Sequence, residues 1–131
     1  MEPRIIQLIF EFYCLELKAG PIPINDFIHT LEDGFGWMKL KFKNYILNEP
    51  TLKAIACVIP FMVNVKEVEF QTNGIQDHLS CALILACYMN PTIDSFKMDG
   101  NPLRGASVNT MNEMVKHFPT KKQTMFLVGS Y

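Results

Sequence analysis

Val65-Lys-Glu-Val68-Glu-Phe70-Gln-Thr-Asn73-Gly-Ile75 and Ile93-Asp-Ser-Phe96-Lys-Met98-Asp-Gly-Asn101-Pro-Leu103 share one pattern, apolar-x-x-apolar-x-apolar-x-x-Asn-x-apolar, and begin 28 residues apart. The same step towards the N-terminus reaches Trp37-Met-Lys-Leu40-Lys-Phe42-Lys-Asn-Tyr45-Ile-Leu47, which keeps the apolar positions and puts Tyr45 in the asparagine column. The same step towards the C-terminus, from Lys121, keeps Phe126 and Tyr131 and puts Gly129 in that column. Repetition at a fixed step is the mark of stacked supersecondary units, each too small to bury its own apolar side.

The stretches between these segments hold the same register. Phe27, Ile55, Leu83 and Met111 are 28 apart, as are Thr30, Val58, Ala86 and Met114, and Leu31, Ile59, Cys87 and Val115. Within each copy the three positions are i, i+3 and i+4, one face of a helix. Each unit is therefore expected to be a short strand followed by a helix. Along the strands Val68 and Phe70 point inward, while Glu67, Glu69 and Gln71 point outward. Asn73 and Asn101 are expected to turn into the bends, their amides meeting backbone groups that the turn leaves over. Gly34, Gly74, Gly100 and Gly105 mark bends. Asn90-Pro91 and Phe118-Pro119 mark helix ends, because the residue before proline avoids the helical region. Pro60 falls late in a helix and is expected to shorten it by a turn.

Residues 1–24 stand apart from the pattern. Pro3 followed by Ile5, Ile6, Ile9, Phe12 and Tyr13 reads as a helix with one broad apolar face, ended by Gly20-Pro21, with a strand as the alternative because Phe12, Cys14 and Leu17 loosely match the repeat columns. That helix and its joint are expected to cap the units of residues 25–131, about 3.5 copies of the repeat.

Composition narrows the function classes. The chain has 131 residues, 49% of them apolar and 19% charged, with a formal net charge of −1. One domain with a substantial core is expected, and the balance suggests either a tightly packed core or some apolar surface reserved for a partner. Nucleic-acid binding requires a concentrated basic footprint, and the sequence has no basic run. The uncharged stretches Ala54–Val65 and Leu79–Ile93 are shorter than the ~20 residues a membrane helix needs, so no membrane insertion is expected. Glu2 and Glu11 bracket the apolar Ile5–Phe10, which argues against a secretory signal and for a cytoplasmic chain. Cys14, Cys57, Cys81 and Cys87 form no C-x-x-C and have no histidines at ligand spacing. They read as small buried hydrophobes in a reducing compartment, with no metal site and no cofactor.

The segments Val68-x-Phe70-x-x-Asn73-x-Ile75 and Phe96-x-Met98-x-x-Asn101-Pro-Leu103, with Asn90-Pro91 before the second, resemble the ribonuclease-inhibitor-like leucine-rich-repeat family. The resemblance covers roughly residues 25–131. It implies an α/β fold: a short right-handed solenoid with parallel inner strands, outer helices and the N-terminal capping helix. It also implies a binding role, since such repeats mostly bind proteins. Val, Phe, Met and Ile stand at most strand positions where the family has leucine, and Tyr45 and Gly129 interrupt the asparagine column. The helix, the proline-bounded joint and the repeats after it are also similar to the start of some centrosomal and ciliary scaffold proteins. That likeness points to a structural subunit of a cytoskeletal or axonemal assembly, with a regulatory inhibitor or adaptor as the alternative.

The 28-residue register also defines the candidate site. Outward residues of successive strands form columns: Lys39, Glu67, Ser95 and Gln123; Lys41, Glu69, Lys97 and Met125; Lys43, Gln71, Asp99 and Leu127. Neighbouring strands are about 4.8 Å apart, so Lys41, Glu69 and Lys97 are expected to alternate as a ladder on the concave face. A second contact surface is expected at the C-terminal edge. There Phe126 points inward, Met125 and Leu127 point outward, and Tyr131 closes the segment. No catalytic residues are expected. His29, His78 and His117 fall at unrelated repeat positions, early in a helix, at a helix start and near a helix end. Asp26, Asp33, Asp77 and Asp94 read as caps and loop residues. An ordinary open α/β sheet is the competing architecture, and it would admit a small enzyme using Cys57 or Cys81. Equal 28-residue units favour the stack, because an open sheet has no need of them.

Overall fold

The structure, a computed structural model, describes residues 3–30 and 38–98 together with the helical positions 105, 109, 110, 112, 113 and 116. In chain order the elements are α1 (Pro3–Leu17), a 3-10 turn (Ile24–Phe27), β1 (Ile28–Thr30), β2 (Met38–Lys43), α2 (Glu49–Val58), a second 3-10 turn (Ile59–Phe61), β3 (Val65–Gln71), α3 (Asp77–Met89) and β4 (Ser95–Lys97). The fold is α/β. β2, β3 and β4 form a parallel sheet in sequence order, and β1 adds to β2 antiparallel.

The strand pairing keeps the 28-residue offset of the sequence. Lys39, Leu40, Lys41 and Phe42 lie beside Glu67, Val68, Glu69 and Phe70, each pair 28 residues apart, and β3 pairs with β4 at the same offset. A bulge between Met38 and Lys39 accounts for the one-residue slip at the strand entry. One face of the sheet is the core face. Leu40, Val68 and Phe96 are buried in one row, and Phe42, Phe70 and Met98 in the next. The Phe42 and Phe70 rings stack at 5.2 Å, and Phe96 meets Phe70 edge-on at 6.2 Å. Against this face lie the helices, with Ile55, Val58 and Ile59 from one turn and Leu83, Ala86 and Cys87 from the next, all buried. Burying each large apolar side chain stabilises the fold by roughly 1.5–3 kcal/mol.

Local chemistry sets the helix ends. Asn48 caps α2, its side-chain oxygen accepting from the Thr51 amide at 3.0 Å. Pro60 then ends the α-helix at Val58 and leaves one 3-10 turn, so α2 has 10 residues where α3 has 13. α1 ends in a Schellman turn: Ala19 N–H donates to Cys14 O at 2.8 Å and Lys18 adopts φ 57°. The helix thus stops before the Gly20-Pro21 pair expected to end it. Gln7 then ties α1 to the joint, donating to Ile22 O at 2.9 Å and accepting from the Ile24 amide.

Asn90, directly after α3, is fully buried. Its Nδ2 donates to Ile59 O at 2.7 Å and Met62 O at 2.9 Å, while its Oδ1 accepts from the amides of Thr92 at 2.7 Å and Ile93 at 3.0 Å. Thr92 Oγ1 donates to Val65 O at 2.7 Å. One side chain therefore joins the turn after α3 to the turn after α2. Asn73 makes a similar tie at the other end of the strands, donating from Nδ2 to Tyr45 O at 2.7 Å. This is the bend position assigned to it from the repeat.

Three expectations are corrected. The first copy of the helix columns, at Phe27 and Thr30, is not helical: Phe27 closes a 3-10 turn, and Ile28, His29 and Thr30 form β1. The β-branched Ile28 and Thr30 suit a strand. Pairing there also covers the backbone groups on the free edge of β2. Phe27 still packs on Phe42, at 4.4 Å between ring centres.

The second correction concerns α1. Its buried face is Ile6, Phe10 and Cys14, with Ile9 and Tyr13 half-buried, whereas Ile5 and Phe12 are 43% and 52% exposed. The helix is apolar on two sides, so periodicity alone does not choose between them. Its face is set by α2, against which it packs. The third correction is to His29, which lies in β1 and not early in a helix.

Candidate functional site

The solvent face of the sheet is built from the outward residues of the parallel strands. Lys39 lies beside Glu67 and Glu67 beside Ser95; Lys41 lies beside Glu69 and Glu69 beside Lys97; Lys43 lies beside Gln71. These are the columns expected from the repeat. The ion pairs follow a different path. Lys39 Nζ spans both carboxylates, 3.4 Å from Glu67 Oε2 and 3.5 Å from Glu69 Oε1. Lys41 reaches Glu69 at 3.5 Å. Lys97 turns from its lateral neighbour Glu69 to Glu67, at 2.7 Å. The expected Lys41–Glu69–Lys97 ladder is thus a four-link zigzag.

The zigzag has an electrostatic reason. Lys39 and Lys41 already flank Glu69, so the less shared carboxylate available to Lys97 is that of Glu67. Burial alone would raise the Glu67 carboxyl, but the hydrogen bond from Lys97 and the charges of Lys39 and Lys97 outweigh it. Its pKa falls below the ordinary glutamate value. Glu69 is only 7% exposed, yet it holds two lysines. Lys43 is exposed at the end of the row. Across strand positions 39, 41, 43, 67, 69 and 97, four lysines face two glutamates, an excess of two positive charges. A surface of this kind, with lysines paired to carboxylates on neighbouring strands and surplus positive charge, can recognise an acidic protein segment.

Asp99, Met125, Phe126, Leu127 and Tyr131 lie outside the described residues, as do Met111, His117, Asn101 and Gly129. His78 stands at the start of α3, 3.4 Å from Glu49 at the start of α2, and both are exposed. Among the described residues no group of three His, Cys, Asp or Glu side chains could hold a metal ion. No described helix is long and apolar enough to cross a membrane. All four cysteines are free thiols; Cys14 and Cys87 are buried, Cys57 and Cys81 half-buried. Burial raises the Cys57 thiol, and burial with the nearby Glu11 raises Cys14. Both are shifted away from the thiolate that a nucleophile needs.

The exposed side of α1 is a surface that the sequence reading missed. Ile5, Leu8, Phe12 and Leu15 are 43%, 54%, 52% and 79% exposed. Their spacing of three, four and three is legible in the sequence; Ile5 and Phe12, expected on the apolar face of the helix, lie on its exposed side. Neither a protein-family model nor a curated protein matches the chain.

Proposed function

We propose that the chain is a non-catalytic protein-interaction module, a short leucine-rich-repeat-like solenoid that docks in a larger assembly through the solvent face of its sheet. The observation that carries this reading is the lysine–glutamate zigzag on that face. Three strands in a 28-residue register hold its charges in a fixed array. Ion pairs at a solvated surface add little stability, roughly 0–1 kcal/mol each. The array's larger effect is positional: it holds lysines in place and leaves surplus positive charge for a partner. The complement is an acidic segment of a protein. The apolar segment at residues 124–131 is proposed as a second contact. A structural subunit of a cytoplasmic, cytoskeletal or axonemal assembly is the role we infer, by the likeness of the helix-joint-repeat order to ciliary scaffolds.

The test is fractionation of cells expressing the tagged full-length chain or its Lys43→Glu variant, which reverses an exposed charge without touching the core. The structural reading expects the parent chain in the insoluble assembly fraction and the variant released from it. A parent chain found as a freely exchanging pool would favour a regulatory inhibitor or adaptor instead. Unchanged fractionation of the variant would remove the strand face from the reading.

A further inference from the structure

Along β2 the lysines of the solvent face are neutralised unequally. Lys39 meets two carboxylates, those of Glu67 and Glu69, and its side chain is 19% exposed. Lys41 meets one, that of Glu69, which it shares with Lys39, and is 34% exposed. Lys43 is exposed and makes no ion pair among the described residues. The gradient has its cause in the neighbouring strand, where Glu67 and Glu69 give way to the neutral Gln71 beside Lys43. Acids on the flanking elements are turned elsewhere: Asp26 lines a cleft with Gln7 and Glu11 of α1, and Glu49 lies beside Lys53 and His78 at the helix starts. The surplus positive charge of the face therefore collects at the end of β2, on Lys41 and Lys43.

An approaching acid is directed along β2 and not across the strands. Sideways from Lys39 it meets Glu67, and sideways from Lys41 it meets Glu69, so like charges oppose both paths. Along the strand it passes from Lys41 to Lys43, two residues or roughly 6.6 Å apart on one face. Two lysines beside two carboxylates are too small a footprint for a nucleic-acid backbone. Beyond Lys43 the surface turns apolar. The Asn44 amide donates to Gln71 O, and Tyr45 and Ile46 follow, 38% and 77% exposed. Ile46 lies over the loop after β3, its Cδ1 4.0 Å from the point a Cβ on Gly74 would occupy, and the glycine leaves it uncovered. We propose, on the basis of the strand-face reading, that the end of β2 receives an extended acidic segment of a partner protein. Carboxylates at alternate positions of that segment meet Lys41 and Lys43, and a large apolar residue beside them sits on Tyr45 and Ile46.

The experiment is an NMR titration of the full, nitrogen-15-labelled chain at low ionic strength with three synthetic peptides. One carries Asp-Ser-Asp between leucines, the second Asn-Ser-Asn between leucines, and the third Asp-Ser-Asp between serines. The first is expected to bind roughly 5-fold more tightly than either of the others, with amide shifts centred on residues 41–46 and an affinity that falls as salt is raised. Lys43→Gln should weaken the preference for aspartate over asparagine, and Ile46→Ser the preference for leucine over serine. Both side chains are exposed, so the thermal melt should not move. Glu69→Gln should tighten binding of the first peptide about 2–5-fold, because it unburdens Lys39 and Lys41; a loss of fold cannot produce that gain. Equal binding of the three peptides, shifts that avoid residues 41–46, or weaker binding to the Glu69→Gln chain overturns the proposal. Release of the Lys43→Glu chain from its assembly, with none of the peptides bound, would keep the strand face as a docking surface and sink the acidic segment alone. Peptide binding without that release would keep the acidic segment and remove the strand face from the assembly.

Discussion

Replacing Asn90 with alanine removes four hydrogen bonds to the backbone at once, together with the contact of its Oδ1 with Thr92 Oγ1 at 2.9 Å. The carbonyls of Ile59 and Met62 lose the amide at 2.7 and 2.9 Å, and the amides of Thr92 and Ile93 lose the oxygen at 2.7 and 3.0 Å. All four partners belong to turns that set where the following strand starts. A satisfied hydrogen bond contributes about 1 kcal/mol net, and a buried group left without a partner costs about 1–3 kcal/mol. Water entering the space left by the amide would satisfy some of them, so Asn90→Ala is expected to cost about 2–4 kcal/mol. That is a large share of the 5–15 kcal/mol typical of a whole domain. The assay is urea unfolding followed by circular dichroism, with the exposed Asn25→Ala as a near-neutral control.

Asn90→Asp sharpens the test. A carboxylate there would face two carbonyl oxygens, so its pKa in the folded chain should lie above that in the unfolded chain. The folded state then binds protons more readily, and the defect should be worst at neutral pH and shrink as the pH is lowered. An Asn90→Ala variant within 0.5 kcal/mol of the parent, an outcome on the order of a surface change, would refute the account of this residue as the join between units.

Leu83→Ala should cost about 2–5 kcal/mol in the same unfolding assay, since Leu83 is wholly buried between α3 and the sheet; a cost below 1 kcal/mol would contradict that packing. Glu67 is held below its ordinary pKa, so its stabilising contribution is complete above the unfolded glutamate range and is lost as pH falls through the folded value. Stability measured from pH 6 down to pH 3 (a window set by the ~4.3 of free glutamate) should fall less steeply in Glu67→Gln than in the parent. Thr72 adopts φ 54°, a left-handed conformation that a β-branched residue resists, so Thr72→Asn should raise stability by up to about 1 kcal/mol, and a loss of stability would refute the strain.

Legibility in the sequence follows how each feature is held. Leu40, Phe42, Val68, Phe70, Ile55 and Leu83 were legible because stacking demands the same apolar residue type at the same offset. The columns Lys39–Glu67 and Lys41–Glu69 followed from that register without further information. Lys97 did not, since a long side chain selects its carboxylate by local charge and not by lateral position. α1 was legible as a helix but not in its rotation, because Phe10 and Phe12 are equally apolar and only the surface of α2 separates them. Asn90 is legible as a stop before proline, but the two bonds its amide donates depend on carbonyls some 30 residues earlier, which no local pattern reports. Asn44 and Thr72 share the left-handed conformation 28 residues apart, a backbone requirement hidden by their unlike side chains.

The direction of β1 has a consequence for how such a chain could lengthen over evolutionary time. A duplicated stretch of 28 residues brings a strand running the same way as its parent, with the same pairing offset. Copied into the segment between β2 and β4, it would meet matching neighbours on either side and keep both asparagine ties. Copied ahead of β1, it would meet a three-residue strand running the opposite way, and it could not join the parallel rows without displacing that strand. β1 therefore sets the sense of pairing at its edge of the sheet, opposite to that of the parallel rows.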